Sequence, residues 1–195
     1  GVVKQLQQAT KGTGIDIVMM GDGFSDRLIA DGTYENVIKT AIEGFFAEEP
    51  YKSFRDYFNV YIVTAVSKNE GYTQNFLNST AIDCYFGEGT HVGGNDEVVF
   101  TYAQKAIEEK RIEDAILVVA INSSTHDGTC YWYYPENKNS DWGNGASVSY
   151  FAVNDNGRNM SRTFLHEAGG HGFAKLDDEY GYQDNGKIPE EEIKA

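Results

Sequence analysis

The amino-acid sequence predicts an α/β fold built on a twisted, mainly parallel β-sheet, and three observations support that prediction. Several segments are continuous runs of apolar and β-branched residues, as expected for strands that are buried on both faces. The segments between them carry apolar residues three and four positions apart, which is the pattern of amphipathic helices. Strands and helices alternate along the chain, and helical crossovers join strands that run parallel to one another.

The first third of the chain predicts one strand–helix–strand unit. The first strand is expected at residues 15–20 and ends in a tight turn at residues 21–25. A helix is predicted over residues 35–48, where apolar side chains recur on one face and Pro50 marks the end. The second strand is expected at residues 57–66, which are rich in aromatic and β-branched residues.

The middle of the chain continues the same alternation after a long irregular segment. Residues 67–95 are predicted to form a loop, and loops of this length inside a domain are usually functional. A second helix is predicted over residues 96–111 and a third buried strand over residues 115–121. Residues 129–134 and 147–153 also have strand composition, and the first of these segments suits an antiparallel edge strand.

Composition and charge limit the classes of protein to which the chain can belong. With 195 residues, of which 41% are hydrophobic, the chain can bury the core of one domain. The formal net charge of −14 argues against a nucleic-acid partner, because phosphate binding needs a positive field. No apolar run approaches the roughly 20 residues that cross a bilayer. The high negative charge also indicates a low tendency to self-associate, and we therefore expect a monomer. Cys84 and Cys130 fit either one disulfide or two free thiols.

The residues with the most specific chemistry lie on a helix expected to begin near residues 159–161. This helix carries His166, Glu167 and His171, and an acidic cluster follows at residues 177–179. A glutamate beside the first of two histidines is typical of zinc hydrolases with the motif H-E-x-x-H, in which the histidines are four residues apart. Here they are five residues apart, and a regular α-helix would separate them by about 140° around its axis.

A widened helical turn would return the two histidines to one face. A π turn, with hydrogen bonds from i to i+5, inserts one extra residue and often occurs at functional sites. Gly169 and Gly170 lie between the histidines and allow the backbone to deform at little steric cost. The sequence therefore predicts a widened turn at residues 168–171 that keeps both histidines on one metal ion.

Zinc is the expected cofactor of this helix. A catalytic zinc site needs three protein ligands and one open position for water. His166 and His171 are the predicted histidine ligands, and Asp178 is the preferred third ligand ahead of Glu179 and Asp177. Glu167 adjoins a ligand and is the predicted general base that takes a proton from zinc-activated water.

These segments resemble the IgA peptidase family of zinc metallopeptidases found in gut bacteria. The resemblance rests on HEAGGHGFAKLDDEY (residues 166–180), IDIVMMGDGFSD (15–26) and EEPYKSFRDYFNVYIVTAVS (48–67). It implies a metzincin-like zinc-peptidase domain with an antiparallel edge strand beside the cleft and a motif-bearing active-site helix. It also implies functional roles for both histidines, for Glu167 and for the triplet Asp178-Glu179-Tyr180.

In such folds a methionine turn follows the third ligand, whereas Met19, Met20 and Met160 all precede His166. We therefore expect residues 1–195 to form a single metallopeptidase catalytic domain that lacks its natural C-terminal part.

The predicted function is that of an exported zinc metalloendopeptidase acting on extracellular proteins, with host immunoglobulin and mucosal proteins as candidates. An extended protein or peptide substrate is expected to pair with the edge strand at residues 129–134. The expected location is outside a bacterial cell, in the periplasm or on the cell surface. Two alternatives remain open, namely a catalytically impaired relative that binds peptides or glycoproteins and a zinc hydrolase of non-peptide amides.

Overall fold

A computed structural model of the protein describes residues 1–71, 79–125, 128–133, 145–153 and 160–178. The predicted segments or positions that fall outside these ranges are residues 72–78 of the long loop, Tyr134, Asn159, Glu179 and Tyr180. Strands in the described ranges are β1 (Val3–Gln7), β2 (Ile15–Asp22), β3 (Phe58–Val63), β4 (Tyr85–Phe86), β5 (Val92–Gly93), β6 (Ile116–Ile121), β7 (Gly128–Tyr133) and β8 (Ala146–Ala152).

Six of these strands form one mixed sheet, and the predicted mainly parallel arrangement is confirmed. The strand order is β1-β3-β2-β6-β8-β7, and the four central strands are parallel. Both edge strands are antiparallel to their neighbours, β1 to β3 and β7 to β8. Strands β4 and β5 form a separate antiparallel pair inside the segment that was predicted as a loop.

The helices cover both faces of this sheet. The described α-helices are α1 (Asp26–Ala30), α2 (Thr33–Phe45), α3 (Tyr51–Phe54), α4 (Asp96–Ala103), α5 (Glu109–Ile112) and α6 (Met160–Phe164). A single 3-10 turn at Arg55–Tyr57 precedes β3, and α6 continues directly into a π-helix at Leu165–Phe173. We call the continuous helix over residues 160–173 the motif helix. None of the helices in the described ranges is long and apolar enough to span a membrane.

The central strands are buried on both faces, which explains their continuous apolar sequences. Along β2, Ile17 and Met19 face one side of the sheet, whereas Val18 and Met20 face the other. The first side packs against α2 and the motif helix, and the second packs against α4. The protein therefore has three layers, with the sheet between two helical layers.

The boundaries of several predicted elements differ from the structure. The predicted helix over residues 96–111 is two shorter helices, α4 and α5, because the chain turns between Gln104 and Glu108 through 3-10-type bonds such as Lys105 N–H to the Tyr102 carbonyl. Strand β1 was not predicted, since three of its five residues are lysine or glutamine and its ladder shifts register between Gln5 and Gln7.

A buried aspartate anchors the long segment after β3. Asp22, at the end of β2, accepts backbone N–H groups from Ile82 and Cys84 at 3.0 Å each and the hydroxyl of Ser67 at 3.3 Å. The segment thereby fills the space beyond the carboxyl end of β2.

The two cysteines are free thiols and do not form the alternative disulfide. Cys84 is buried in the segment after β3, and Cys130 lies on β7.

Candidate metal centre

The motif helix is fixed to the sheet by aromatic packing of Phe164, two residues before the first histidine. The ring of Phe164 stacks between Phe45 of α2 and Phe151 of β8, with centroid distances of 5.0 and 5.3 Å. At the start of the helix, Gly44 of α2 lies against Ser161 so closely that a β-carbon at this glycine would overlap the serine side chain. The orientation of the motif helix is therefore set by α2 and β8.

The predicted widened turn between the histidines is confirmed, and it is longer than expected. The π-helix begins at Leu165 and ends at Phe173, and the N–H of Ala174 still bonds to the carbonyl of Gly169, five residues earlier. With this wider winding, the Nε2 atoms of His166 and His171 lie 3.1 Å apart. The five-residue spacing thus places both rings on one side of the helix.

The two glycines between the histidines differ in their surroundings. A β-carbon on Gly169 would lie 2.9 Å from the hydroxyl oxygen of Tyr51, so this position requires the close approach that glycine permits. A β-carbon on Gly170 would meet no atom of the described residues within 4 Å. Only Gly169 therefore has a steric reason to be glycine.

The chain reverses after the helix and returns beneath the histidines. Lys175 has a left-handed backbone with φ of 54°, and the N–H of Leu176 bonds to the carbonyl of Gly170. The carbonyl of Leu176 then lies 2.6 Å from Nδ1 of His171. A carbonyl only accepts hydrogen bonds, so Nδ1 carries the proton and the lone pair of Nε2 is free to bind a metal.

The same reversal brings Asp178 to the histidine pair. Its Oδ1 atom lies 3.3 Å from Nε2 of His166 and 3.3 Å from Nε2 of His171. This oxygen is buried and accepts no hydrogen bond from the described residues. A buried acceptor without a partner costs about 1–3 kcal/mol, which a cation bound between the three atoms would offset. The three side chains therefore form a candidate site for one metal ion.

The ionisation of His166 also suits metal binding. Burial, reinforced by the neighbouring His171, lowers the pKa of His166 below its usual value. The His166 imidazole is thus neutral near pH 7, and the lone pair of its unprotonated nitrogen is available to a metal ion. Its side chain is 43% exposed, so the site is open to solvent on one side.

Glu167 lies beside this site and is itself 6% exposed. Its Oε1 atom is 3.9 Å from Nε2 of His166. Burial raises the pKa of Glu167 to about 7, which is the range in which a carboxylate can both accept and release a proton. Gly128, the first residue of β7, leaves room for this side chain, because a β-carbon there would lie 2.8 Å from Oε1.

The edge strand β7 is tied to the motif helix. The indole N–H of Trp132 donates to the carbonyl of His171 at 2.9 Å, which places one face of β7 against the end of the helix. The opposite face bonds to β5, where the hydroxyl of Tyr131 donates to the carbonyl of Val92 at 3.1 Å. The antiparallel strand predicted beside the site therefore lies next to it.

The structure separates the three acidic candidates for the third ligand. Asp178 faces the histidines, whereas Asp177 is exposed and its carboxylate accepts the N–H of Asp178 at 2.9 Å. Glu179 lies outside the described residues.

Three residues that support the site were not predicted from the sequence, namely Lys175, Gly128 and Trp132. None of them forms part of a recognisable ligand or base pattern.

The three-layer α/β fold and the convergent histidine and aspartate side chains define a candidate metal-dependent hydrolase. The family model described as IgA Peptidase M64 matches residues 3–194, and the chain belongs to this family. The predicted family resemblance is thereby confirmed, and membership implies peptidase activity of the metallopeptidase type. No curated protein matches the chain.

Proposed function

We propose that this protein is an exported zinc metalloendopeptidase with a metzincin-like catalytic domain. The observation that carries the proposal is the convergence of His166, His171 and Asp178 on one point, with the buried carboxylate of Glu167 beside them. Membership of a peptidase family supports hydrolysis of peptide bonds as the reaction.

The spacing and the chemistry of the three side chains favour zinc as the metal. A tetrahedral ion with bonds of about 2.0–2.1 Å places its ligand atoms about 3.3–3.4 Å apart. The three atoms here are separated by 3.1, 3.3 and 3.3 Å. Two imidazole nitrogens also argue against calcium and magnesium, which prefer oxygen ligands.

Each residue of the centre has a distinct part in the proposed reaction. Zinc bound there would lower the pKa of a water molecule and polarise the substrate carbonyl. Glu167 would accept a proton from the attacking water and return it to the departing amine, a role that its raised pKa supports. The carbonyl of Leu176 holds His171 in the tautomer and orientation required for binding.

We further propose that the substrate is an extended segment of an extracellular protein. Main-chain groups of β7 next to the motif helix suit pairing with an extended peptide. Host immunoglobulin and mucosal proteins are candidate substrates for an enzyme located outside a bacterial cell, in its periplasm or on its surface. We propose that the enzyme acts as a monomer.

The Glu167→Gln variant tests the proposed function. The substitution keeps the size of the side chain and removes its capacity to accept a proton. We expect the wild type and the variant to bind about one zinc ion, and the variant to cleave a reduced, unfolded protein about 10²–10⁴-fold more slowly. Zinc content by atomic absorption and cleavage by gel electrophoresis measure the two quantities.

The matched control is Glu109→Gln, which changes an exposed glutamate on α5 and should leave both quantities unchanged. Zinc bound by wild type and Glu167→Gln, with no cleavage by either protein, would contradict the proposal and favour a peptide- or glycoprotein-binding module. Cleavage of small amides but not of proteins would favour a non-peptide amide hydrolase.

A further inference from the structure

Lys175 has two unusual properties for a residue next to a helix end. Its backbone is left-handed, with φ of 54°, and for a residue with a β-carbon this conformation costs roughly 1–2 kcal/mol. Its side chain is half-buried, and this burial lowers the pKa of the amine. Both costs must be offset by the contacts that the residue makes.

The ammonium group of Lys175 connects two separate parts of the backbone. It donates to the carbonyl of Gly172, in the last turn of the π-helix, at 2.7 Å. It also donates to the carbonyl of Gly145, the residue before β8, at 3.1 Å. One side chain thus fixes the end of the motif helix to the start of a central strand.

The segment that Lys175 fixes supplies two contacts of the metal centre. Directly after its left-handed turn, the carbonyl of Leu176 accepts the Nδ1 proton of His171 at 2.6 Å. Asp178 then places Oδ1 at 3.3 Å from both Nε2 atoms. A different path of the chain at residue 175 would displace both groups.

We infer that Lys175 is a positioning residue of the metal centre, whose ammonium group holds the chain reversal that presents Leu176 to His171 and Asp178 to the histidine pair. The inference rests on the proposed metal site. Lys175 makes no contact with the three ligand atoms, so it acts through the turn and not on the metal.

Three substitutions separate the effect of the amine from that of the backbone. Lys175→Met keeps the aliphatic stem and removes the amine, Lys175→Gly removes the amine and relieves the left-handed strain, and Lys175→Arg keeps a donor of similar reach. We expect zinc affinity to fall about tenfold in the Met and Gly variants, as for other groups that orient metal ligands. The Arg variant should recover most of that loss.

Competition with a chromophoric chelator measures the zinc affinity of each purified, folded variant. Lys110→Met is the control, because Lys110 is exposed and pairs only with Glu108 among the described residues, and its affinity should match the wild type. Denaturant unfolding of the metal-free proteins gives a second readout. A merely structural role for Lys175 would lower stability and leave the zinc affinity of the folded protein unchanged.

The outcome distinguishes this inference from the proposed function. His166→Ala, measured in the same titration, reports on the metal site itself. If His166→Ala binds zinc as the wild type does, the proposed centre is wrong and the role of Lys175 is overturned with it. If His166→Ala loses affinity while Lys175→Gly and Lys175→Met stay within twofold of the wild type, only the inference about Lys175 is overturned. If Lys175→Met does not fold, the zinc affinity of Lys175→Gly alone tests the inference about Lys175.

Discussion

Asp177 and Asp178 are adjacent acidic residues with different surroundings. The Oδ1 atom of Asp178 is buried between the two histidines, whereas the Asp177 side chain is exposed and accepts the backbone N–H of Asp178. The first carboxylate is thus placed to bind a cation, and the second stabilises the turn that carries it. The amide of an asparagine could replace Asp177 in that second role, because its oxygen also accepts hydrogen bonds.

This difference predicts unequal effects of two conservative substitutions. Asp178→Asn removes a charged ligand from the candidate centre and should weaken zinc binding by at least about 10²-fold, because losing a ligand costs more than the roughly 10–100-fold lost when a group that only orients a ligand is removed. Asp177→Asn should change the affinity by less than about threefold. Zinc competition titrations of the two variants and the wild type measure the difference.

A larger loss in Asp177→Asn than in Asp178→Asn would contradict the assignment of Asp178. Wild-type affinity in both variants would indicate that the third ligand is another group, and Glu179 is the remaining acidic candidate in this segment of the sequence.

Among the elements, the π-helix determines whether the two histidines can share a metal ion. Its i to i−5 bonding places a residue five positions along the chain where a regular α-helix would place one four positions along. One residue between His166 and His171 is therefore surplus to the common four-residue spacing. Gly170 is the best candidate for that surplus residue, because a β-carbon there would meet no atom of the described ranges within 4 Å.

Deletion of Gly170 should convert the π-helix into a regular α-helix without separating the histidines. Gly169 keeps its contact with Tyr51, and the two histidines become four residues apart on one helical face. We expect zinc affinity within about tenfold of the wild type and a free energy of unfolding higher by roughly 1 kcal/mol, because one helical glycine is lost. Zinc titration and urea unfolding measure these changes.

Gly170→Ala is the control for the deletion, since it removes the same glycine but keeps the five-residue spacing. It should bind zinc as the wild type does and gain similar stability. A folded deletion variant that no longer binds zinc would show that the wide helix is required, and that the surplus residue is not at position 170.

The elements that could be predicted from the sequence are those whose patterns arise from burial. β2, β3, β6 and β8 are covered on both faces, so their apolar runs identify them without knowledge of their partners. β1 escaped prediction because its position depends on pairing with a distant strand and not on its own polar sequence.

The candidate site could be predicted as far as local geometry determines it. The histidine spacing and the intervening glycines predict the widened turn, because helix winding fixes where neighbouring residues lie. The roles of Gly128 and Lys175 could not be predicted, since each depends on contact with a residue on another element, Glu167 for the first and Gly145 for the second.

The candidate metal centre does not occupy the usual ligand position of an open α/β sheet. In such folds ligands bind beyond the carboxyl ends of the parallel strands, where the strand order reverses. Here the space beyond β2 is filled by the segment that bonds to Asp22. The candidate site instead lies on the motif helix beside β7 and β8, and its outer side is open to solvent.

An ion pair between the buried Asp16 and the partly exposed Arg111 links the opposite, amino end of β2 to α5. Asp16 is 3% exposed, and its carboxylate accepts the Nε proton of Arg111 at 2.5 Å and the amide of Asn59 at 2.8 Å. Arg111 also donates to the carbonyl of Gly14 at 3.0 Å. None of these bonds involves the motif helix or Asp178, so the pair should affect stability without affecting the metal centre.

Arg111→Met should destabilise the protein by about 2–4 kcal/mol, because it leaves the buried charge of Asp16 without its partner. The double variant Asp16→Asn/Arg111→Met should lose less, since the charge is removed as well. Zinc affinity should stay within threefold of the wild type in both. Urea unfolding and zinc titration measure these quantities, and a single variant as stable as the wild type would contradict the prediction.

The packing of Phe164 between Phe45 and Phe151 has a consequence for biosynthesis. The side chains of the candidate metal centre are close together in sequence, but the aromatic support beneath them comes partly from a helix that is synthesised much earlier. During translation the amino-terminal elements leave the ribosome first, and contacts between such distant residues form slowly. The nascent chain therefore contains both histidines before Phe164 has packed against Phe45 and Phe151. We expect metal binding to occur late in folding, after these contacts have formed.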